Sequence, residues 1–363
     1  MFTSLKELPE GRNWTLDELN ERKVQLLIPV IIFISIAMVV GIIGNALVLY
    51  INIFVFKMGT STHRYFIVFL ALADASFCMI CDPFLIWILY HPYTFTNTLA
   101  CKSLRAFTYF NALVSVLVLS VIALDRYRRI CRPNGNKFSI PRTKFIFGII
   151  AILSFIFSIP AFILYGPNTV QTGVPNITGT QCFPDDLYKD TMFPNGYYLF
   201  LYTVFIIVTI SMSVLYTLIW YQIRKHKNPI MARSLYHSTK HNALYNTMES
   251  NAAELFSCSI NMHNPGKCII VGNKPNKPEL LSNRVKTIRV SKMLLVVTAF
   301  FVLSFAPFLS LGLLTFFDEQ VIEDLDNTST MIYHLFWSSF EINFMINPFI
   351  YGAMDKRFRE ECD

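Results

Sequence analysis

The sequence has 363 residues, of which 53% are hydrophobic and only 15% are charged, so the chain is better suited to lipid than to water and is interpreted as one polytopic membrane domain. Its eight cysteines show neither CxxC nor Cys/His metal spacing, and no GxxxxGKS phosphate loop occurs, so nothing indicates an enzyme. The net charge of +7 is unevenly distributed among the polar segments, as shown below.

The chain opens with a polar segment, Met1 to Gln25, which lacks the apolar core of a signal peptide. The first apolar span, Leu26 to Phe56, must therefore itself direct the chain to the membrane. Six more spans follow, namely Tyr65 to Tyr90, Cys101 to Ile130, Phe145 to Tyr165, Tyr197 to Tyr221, Val290 to Phe317 and Met331 to Met354. The prediction is an all-α membrane protein with a seven-transmembrane helix bundle over residues 26–354.

Basic residues are concentrated in alternate loops. The segments that follow the odd-numbered spans hold most of the 31 lysines and arginines, whereas the other loops hold only Lys102 and Lys189. The positive-inside rule then places the N-terminal segment, residues 1–25, outside the cell and the C-terminus in the cytoplasm. The charge is thus a topology signal, and nucleic-acid binding is a poor explanation of it. Sequons in the outer segments make three asparagines candidate glycosylation sites: Asn13, Asn176 and Asn327.

Two cytoplasmic segments stand out. Residues 224–289 are rich in Asn, Ser, Lys and His without a periodic apolar pattern, so we expect a long, largely disordered third cytoplasmic loop. Residues 355–363 form the tail, in which Asp355 to Glu360 predicts a short amphipathic eighth helix with Phe358 facing lipid. Cys362 is a candidate palmitoylation site because it is a cysteine next to the membrane.

Several motifs in a fixed order carry a family resemblance. They are GNALVLY at Gly44 to Tyr50, LALAD at Leu70 to Asp74, Asp125-Arg126-Tyr127, Pro307 in FAPF, and NPFIY at Asn347 to Tyr351. Their order and spacing resemble those of rhodopsin-like (class A) G-protein-coupled receptors, most of all invertebrate-type neuropeptide receptors. The resemblance implies a plasma-membrane receptor whose partners are an extracellular peptide ligand, a heterotrimeric G protein, arrestin and membrane lipid.

The resemblance also assigns an activation switch to the cytoplasmic half. It implies that Asp125 holds Arg126 at rest and releases it to contact a G protein when the sixth span, kinked at Pro307, swings outward. Phe305 takes the place of the usual tryptophan of this switch and is expected to pack near Phe301. Tyr216 and Tyr351 match tyrosines that meet near this arginine in the active arrangement. The full set of switch residues is Asp125, Arg126, Tyr127, Tyr216, Phe301, Phe305, Pro307, Asn347, Pro348 and Tyr351.

Cys101 and Cys182 are the cysteines placed in outer segments, where the environment is oxidising, and we expect a disulfide between them. The resemblance implies that this bond holds the second outer loop over the ligand cavity. In that loop, the stretch from Val170 to Phe183 has Gly173 and Pro175 between two β-capable arms, which predicts a hairpin.

Asp74 is an intramembrane carboxylate, which is costly unless it is hydrated, paired or protonated. By resemblance, Asp74 is the charged ligand of an allosteric sodium ion, and no other cofactor or metal is expected. Five side chains would complete this polar network: Asn45, Asn111, Ser115, Asn343 and Asn347. A sodium site and a purely structural polar network both stay open.

The expected ligand cavity differs from those of two large groups in the family. Thr108 stands where amine receptors have an aspartate, and Glu341 stands where light receptors have the Schiff-base lysine, so amine and retinal ligands are disfavoured. Asp82 lies on nearly the same helical stripe as Asp74 but closer to the outside. Acidic residues of the outer loops would extend this charge upward: Asp185, Asp186, Asp190, Asp318, Glu319, Glu323, Asp324 and Asp326.

An acidic funnel ending at Asp82 and Glu341 would attract a cation such as an arginine-bearing peptide, with Phe308, His334 and Trp337 as wall residues. A small non-peptide ligand is the alternative within the class. From another class, a transporter or channel would use Asp74, Asp82 and Glu341 as a conduction path. The DRY and NPFIY motifs speak against that reading, because conduction does not require them.

Overall fold

The computed structural model describes residues 13–56, 62–132, 135, 138–248, 277–317 and 325–361. Its helices are α1 (Leu16–Tyr50), α2 (Thr62–Ser76), α3 (Asp82–Tyr90), α4 (Thr98–Cys131), α5 (Ile140–Leu164), α6 (Phe193–Met248), α7 (Lys277–Phe317), α8 (Asn327–Trp337), α9 (Glu341–Met354) and α10 (Lys356–Glu360). Two π-helical segments continue α1 (Ile51–Val55) and join α2 to α3 (Phe77–Cys81), and 3₁₀ turns occur at Asp186–Tyr188 and Ser338–Phe340. Spans 1 to 7 are α1, α2–α3, α4, α5, α6, α7 and α8–α9.

Six helical segments of the described chain are long and apolar enough to cross a membrane, and they correspond to spans 1 to 6. Span 7 is divided by the 3₁₀ turn at Ser338–Phe340 into helices of 11 and 14 residues. The two helices and the turn follow one another without a gap from Asn327 to Met354. At ~1.5 Å per residue this length is roughly 40 Å, enough to cross a bilayer, so the predicted seven-helix bundle is confirmed.

The first helix begins ten residues before the predicted span, at Leu16 rather than Leu26. A capping box explains this early start: the Thr15 side chain accepts a hydrogen bond from the Glu18 N–H (3.3 Å), and the Glu18 carboxylate accepts one from the Thr15 N–H (3.0 Å). Asn20 then donates to the carbonyl of Tyr90 (3.1 Å), which joins the extension to the end of span 2. Part of the polar N-terminal segment is therefore helical.

Spans 5 and 6 also continue beyond their predicted ends at Tyr221 and Val290. The α6 helix reaches Met248, and α7 begins at Lys277. Both flanks of the loop expected at residues 224–289 are thus helical, and its centre, residues 249–276, lies outside the described residues.

The second outer loop is a β-hairpin, as predicted. Strands β1 (Tyr165–Gln171) and β2 (Thr178–Pro184) are antiparallel, with Tyr165 opposite Pro184. Gly173 (φ 82°) and Asn176 (φ 64°) occupy left-handed conformations in the connection, which glycine and asparagine tolerate best. The backbone of Thr180 exchanges hydrogen bonds with Tyr93 (2.8 Å) and Phe95 (2.9 Å), so the hairpin is fixed to the first outer loop.

Motif residues make the close contacts of the bundle. A Cβ atom at Gly44 would lie 2.8 Å from Cγ of Pro348, so the glycine allows span 1 to approach the NPFIY segment. In α10, Phe358 is 4% exposed and lies beside the Tyr351 ring, with the ring centroids 6.4 Å apart. The prediction that Phe358 faces lipid is wrong, because α10 follows α9 after the single extended residue Asp355 and packs its aromatic side against the bundle.

Candidate functional site

A disulfide joins Cys101 at the outer end of span 3 to Cys182 in β2, as predicted, with a Cα–Cα distance of 5.6 Å. Cys101 and Cys182 are both buried and pack with Phe84, Phe95 and Tyr165. The hairpin is thereby attached to the helix that carries Arg105, Thr108 and Tyr109.

The acidic residues beside the hairpin are largely occupied by local hydrogen bonds. The Asp186 carboxylate accepts hydrogen bonds from the Thr169 N–H (3.0 Å), the Thr169 hydroxyl (2.6 Å) and the Asn168 amide (3.2 Å). The Asp185 carboxylate accepts one from the Leu187 N–H (3.0 Å). Asp186 is thus attached to β1, and Asp185 caps the turn at Asp186–Tyr188. A hydrogen-bonded carboxylate still contributes to an acidic surface, so the funnel stays a prediction.

The remaining acids of the predicted funnel differ in position. Asp190 is exposed. Asp326 caps α8, and hydrogen bonding, first of all by Ser329, lowers the pKa of its carboxyl from the usual value. The other four, Asp318, Glu319, Glu323 and Asp324, lie outside the described residues.

Asp82 and Glu341 meet inside the bundle. Asp82 is 0% exposed and Glu341 is 1% exposed, and their carboxyl groups lie within hydrogen-bonding reach of each other. Within the described part of the chain, none of their four oxygens accepts a hydrogen bond from a conventional donor. Two carboxyl groups this close do not both remain charged, so the pair either shares a proton or binds a cation.

The predicted wall residues lie on spans 6 and 7. The Phe308 ring is 4.9 Å from Trp337 and 5.1 Å from Phe340, centroid to centroid, and His334 stacks edge-on with Tyr333 at 5.4 Å. Thr108 donates to the Leu104 carbonyl (2.9 Å) on its own helix. An aromatic wall and the acidic pair therefore face the same outer part of the bundle.

Arg105 was missed by sequence reasoning. Its guanidinium carbon lies 5.7 Å from the Phe84 ring centroid and 5.4 Å from that of Tyr165, and its Nη2 approaches the Cys182 carbonyl at 3.5 Å. Its Nε is buried and has no hydrogen-bond partner among the described residues. The signal was available, since an arginine one turn after Cys101 in an apolar span is as unusual as a carboxylate there.

The network around Asp74 is smaller than predicted. Its carboxylate accepts hydrogen bonds from Asn347 (2.7 Å) and Ser115 (3.3 Å) and is 0% exposed. Asn45 instead donates to the carbonyl oxygens of Gly41 (3.0 Å) and Phe344 (2.8 Å).

Asn111 and Asn343 also make no hydrogen bond to Asp74. The Asn111 side chain accepts from Ser76 (2.7 Å) and donates to the Phe107 carbonyl (3.1 Å). The Asn343 amide nitrogen is buried without a partner among the described residues. The amide oxygens of Asn45 and Asn347 are likewise without donors there, so the site retains oxygen atoms suited to a small hard cation.

At the cytoplasmic end of span 3, Asp125 binds two arginines. Its carboxylate lies 2.6 Å from Nη2 of Arg126 and 2.8 Å from Nε of Arg129. Asp125 and Arg126 are buried, and Tyr127 is half-buried beside them. The Asp125–Arg126 contact that the resemblance implies is therefore present, and its role in a switch stays a prediction.

The two switch tyrosines do not meet in this structure. The Tyr216 hydroxyl donates to the Leu294 carbonyl (3.3 Å) and accepts from Thr298 (3.1 Å), both on span 6. The Tyr351 hydroxyl is buried with no partner in the described part of the chain. Tyr216 therefore connects span 5 to span 6.

The aromatic switch residues Phe301 and Phe305 form a cluster with Phe308. The rings of Phe301 and Phe305 are 4.7 Å apart, and those of Phe305 and Phe308 are 6.4 Å apart. Beside Pro307, the hydroxyl of Ser339 donates to the Ser304 carbonyl (2.7 Å), so span 7 supports the backbone of span 6 where proline interrupts it.

The candidate modification sites lie at the periphery. Asn13 and Asn176 are exposed, and Asn327 is half-buried in the first turn of α8. Cys362 lies outside the described residues.

Comparison with known proteins agrees with this arrangement. Residues 44–351 match the model of the family described as 7 transmembrane receptor (rhodopsin family). The cholecystokinin receptor type A of Cavia porcellus is 27% identical over 357 residues, which cover 91% of this chain and 78% of the relative, and the receptor of that name from Homo sapiens is 25% identical over 345 residues with the same coverage. The crystal structure of squid rhodopsin has the same fold, with a TM-score of 0.65 at 19% identity, and the match covers 97% of this chain and 86% of that one. The chain is therefore a multi-pass membrane protein that belongs to the rhodopsin family of seven-transmembrane, G-protein-coupled receptors.

Proposed function

We propose that the protein is a plasma-membrane receptor for an extracellular peptide that carries a basic group, and that it signals through a heterotrimeric G protein. The observation that carries the proposal is the pair of buried carboxyl groups at Asp82 and Glu341, which accept no hydrogen bond from an N–H or hydroxyl group within the described residues. The similarity to cholecystokinin receptors, which are peptide receptors, supports a peptide ligand. The N-terminus, the hairpin and the sequons would lie outside the cell.

A cationic group of the ligand would replace the proton shared by Asp82 and Glu341. The pair joins span 2 to the start of α9, just after the 3₁₀ turn of span 7. Phe340 of that turn lies 5.1 Å from Phe308 and 5.9 Å from Phe305, centroid to centroid. A ligand that draws the two carboxylates toward itself would shift these rings, and with them the sixth span.

The cytoplasmic response would then consist of release of Arg126 from Asp125 and outward movement of span 6. A ligand that binds this state more tightly raises its population, and no other cause of activation is needed. G protein is the first partner for the opened face and arrestin the second. Cys362 would attach the tail to lipid after palmitoylation.

Asp74 is proposed as the ligand of an allosteric sodium ion. Asp74, Ser115 and Asn347 would hold it, because they combine a carboxylate, a hydroxyl and an amide oxygen that accepts no hydrogen bond from the described residues. A bound cation would neutralise the charge of this buried carboxylate.

The receptor proposal is tested by measuring calcium and cyclic AMP in cells that express the wild type, Glu341→Gln or Asp190→Asn. Matched peptides that contain either arginine or its neutral analogue citrulline are applied to each. We expect the arginine peptides to act on the wild type and to lose at least tenfold in potency on Glu341→Gln. The exposed Asp190→Asn, which removes the same charge from the outer surface, serves as the control and should stay within twofold of the wild type.

Equal potency of arginine and citrulline peptides on all three proteins would contradict the proposal of a basic ligand, while the assignment as a receptor would stand. Responses only to non-peptide compounds would favour the small-molecule alternative. Ion currents in the absence of a G protein would favour the channel or transporter.

A further inference from the structure

We propose that Arg105 forms a second, oppositely charged subsite, which binds a carboxylate of the ligand. This inference deepens the proposed function and rests on it for the identity of the ligand as a peptide. It starts from the position of the guanidinium, which lies between the rings of Phe84 and Tyr165 and beneath the carbonyl of Cys182. The site is thus bounded by span 2, span 3 and the hairpin.

Arg105 has no counterion among the residues that the structure describes. In the described part of the chain, the arginine forms no ion pair, and its buried Nε–H has no acceptor. Three acids of the outer half are already engaged elsewhere: Asp186 accepts from Thr169, Asp185 accepts from Leu187, and Asp82 lies against Glu341. An arginine inside a membrane protein normally pairs with a carboxylate or with water, so a guanidinium whose contacts in the described part of the chain are a carbonyl and two rings indicates a missing anion.

A second donor lies beside Arg105. The hydroxyl of Tyr165 is 2.8 Å from that of Tyr109 and 2.9 Å from that of Tyr198. Three hydroxyl groups linked in a row by two hydrogen bonds use two of their three protons, which leaves one O–H group able to donate. A guanidinium and a phenol together match the two oxygens of a carboxylate.

The two subsites are both near Cys81. The Cys81 thiol is within electrostatic range of Asp82 and Glu341 and also of Arg105. A ligand that fills both would present a cation toward span 7 and a carboxylate toward the hairpin. A peptide provides both charges when a basic residue is near its C-terminal carboxylate or near an acidic side chain.

The subsite can be tested without a known agonist by thermal unfolding of the purified receptor in detergent. The probes are N-acetylphenylalanine, which has a terminal carboxylate, its uncharged amide, and N-acetylaspartate diamide, which carries its carboxylate on the side chain. Binding to the folded state raises the unfolding temperature in proportion to ln(1 + [L]/Kd). We expect the wild type to bind a carboxylate probe at least tenfold more tightly than the amide, and the better of the two carboxylates shows which source the site prefers.

The variants are Arg105→Gln, Arg105→Lys and, as the control, Lys189→Gln, which removes an exposed cation from the second outer loop. Arg105→Gln should reduce the preference for carboxylate to less than twofold, and Lys189→Gln should retain it. Arg105→Lys keeps the charge but loses the planar fork, so an intermediate preference is expected, and this variant decides the question if Arg105→Gln does not fold. The proposal would be overturned if the wild type bound the carboxylate and amide probes equally well. It would also be overturned if Arg105→Gln retained the preference for carboxylate.

The same subsite has a signature in cells that separates it from the receptor proposal. Active peptides are compared as free acids and as amides, and the acid forms should lose at least tenfold in potency on Arg105→Gln while the amides do not. The subsite would be contradicted, and the proposed function would stand, if peptides acted equally well in both forms and thermal unfolding showed no preference for carboxylate. Binding of the carboxylate probes without any response to peptides would support the subsite and contradict the peptide ligand.

Discussion

The side-chain amide of Asn347 donates a hydrogen bond of 2.7 Å to the carboxylate of Asp74 and so connects the NPFIY segment of span 7 to span 2. This contact places the acidic member of the Asp74 network against the helix that carries Tyr351 of the proposed switch. Any cation bound to Asp74 would therefore bias the position of span 7.

Asp74→Asn is expected to abolish the dependence of agonist potency on sodium. The amide cannot supply the negative charge that a sodium ion needs in a dry site. The measurement compares peptide potency in sodium chloride and in choline chloride of equal ionic strength, with Asp190→Asn as the control. If potency on Asp74→Asn still changes with sodium, the ion binds elsewhere, and Asp74 serves only in the hydrogen-bonded network.

Removal of the disulfide by Cys101→Ser is expected to destabilise the outer half of the receptor. The bond closes a loop between residues 81 positions apart, and on the chain-entropy account such a bond contributes about 4 kcal/mol. The unfolding temperature and the surface expression should fall equally in Cys101→Ser, Cys182→Ser and the double variant, because the same bond is lost in each. Cys131→Ser changes a half-buried free cysteine and should resemble the wild type. A double variant much less stable than either single one would contradict this account.

The sequence predicts the spans, the disulfide and the hairpin because each rests on a local or compositional signal. Apolar runs of sufficient length, cysteines on the oxidising side and turn residues between β-capable arms need no knowledge of packing. The meeting of Asp82 with Glu341 is also foreseeable, since both are carboxylates in apolar helices and each needs a partner.

Other features depend on tertiary contacts that no pattern records. The engagement of Asp186 with Thr169 follows from the register of the hairpin, and the orientation of Phe358 follows from the turn at Asp355. Arg105 escapes the sequence prediction for a different reason. The positive-inside rule interprets basic residues in loops, and Arg105 lies within a span.

Asp125→Asn is expected to raise basal signalling and to lower stability. The substitution leaves Arg126, whose side chain is 4% exposed, without its carboxylate, and loss of one partner of a buried pair typically costs about 3–5 kcal/mol. Basal guanine-nucleotide exchange on added G protein and thermal unfolding are measured together. Glu360→Gln breaks the exposed pair with Lys356 and should change neither. Lower stability with unchanged basal exchange would show that the ion pair is structural and does not restrain the switch.

Phe358→Ala is expected to destabilise the cytoplasmic half, because Phe358 is buried beside Tyr351 and does not face lipid. Loss of a buried phenylalanine side chain costs about 3–5 kcal/mol where the cavity cannot collapse. The matched control is Phe349→Ala in the same region, since Phe349 is 57% exposed on the outside of the bundle. The unfolding temperature in detergent should therefore fall for Phe358→Ala and change little for Phe349→Ala.

G-protein coupling of Phe358→Ala should weaken in parallel, because the ring of Phe358 packs against the tyrosine of NPFIY and limits where Tyr351 can move. If Phe358→Ala unfolds like the wild type but dissociates more readily from lipid vesicles, the aromatic ring anchors α10 in the membrane, and the packing against Tyr351 is not what holds this helix.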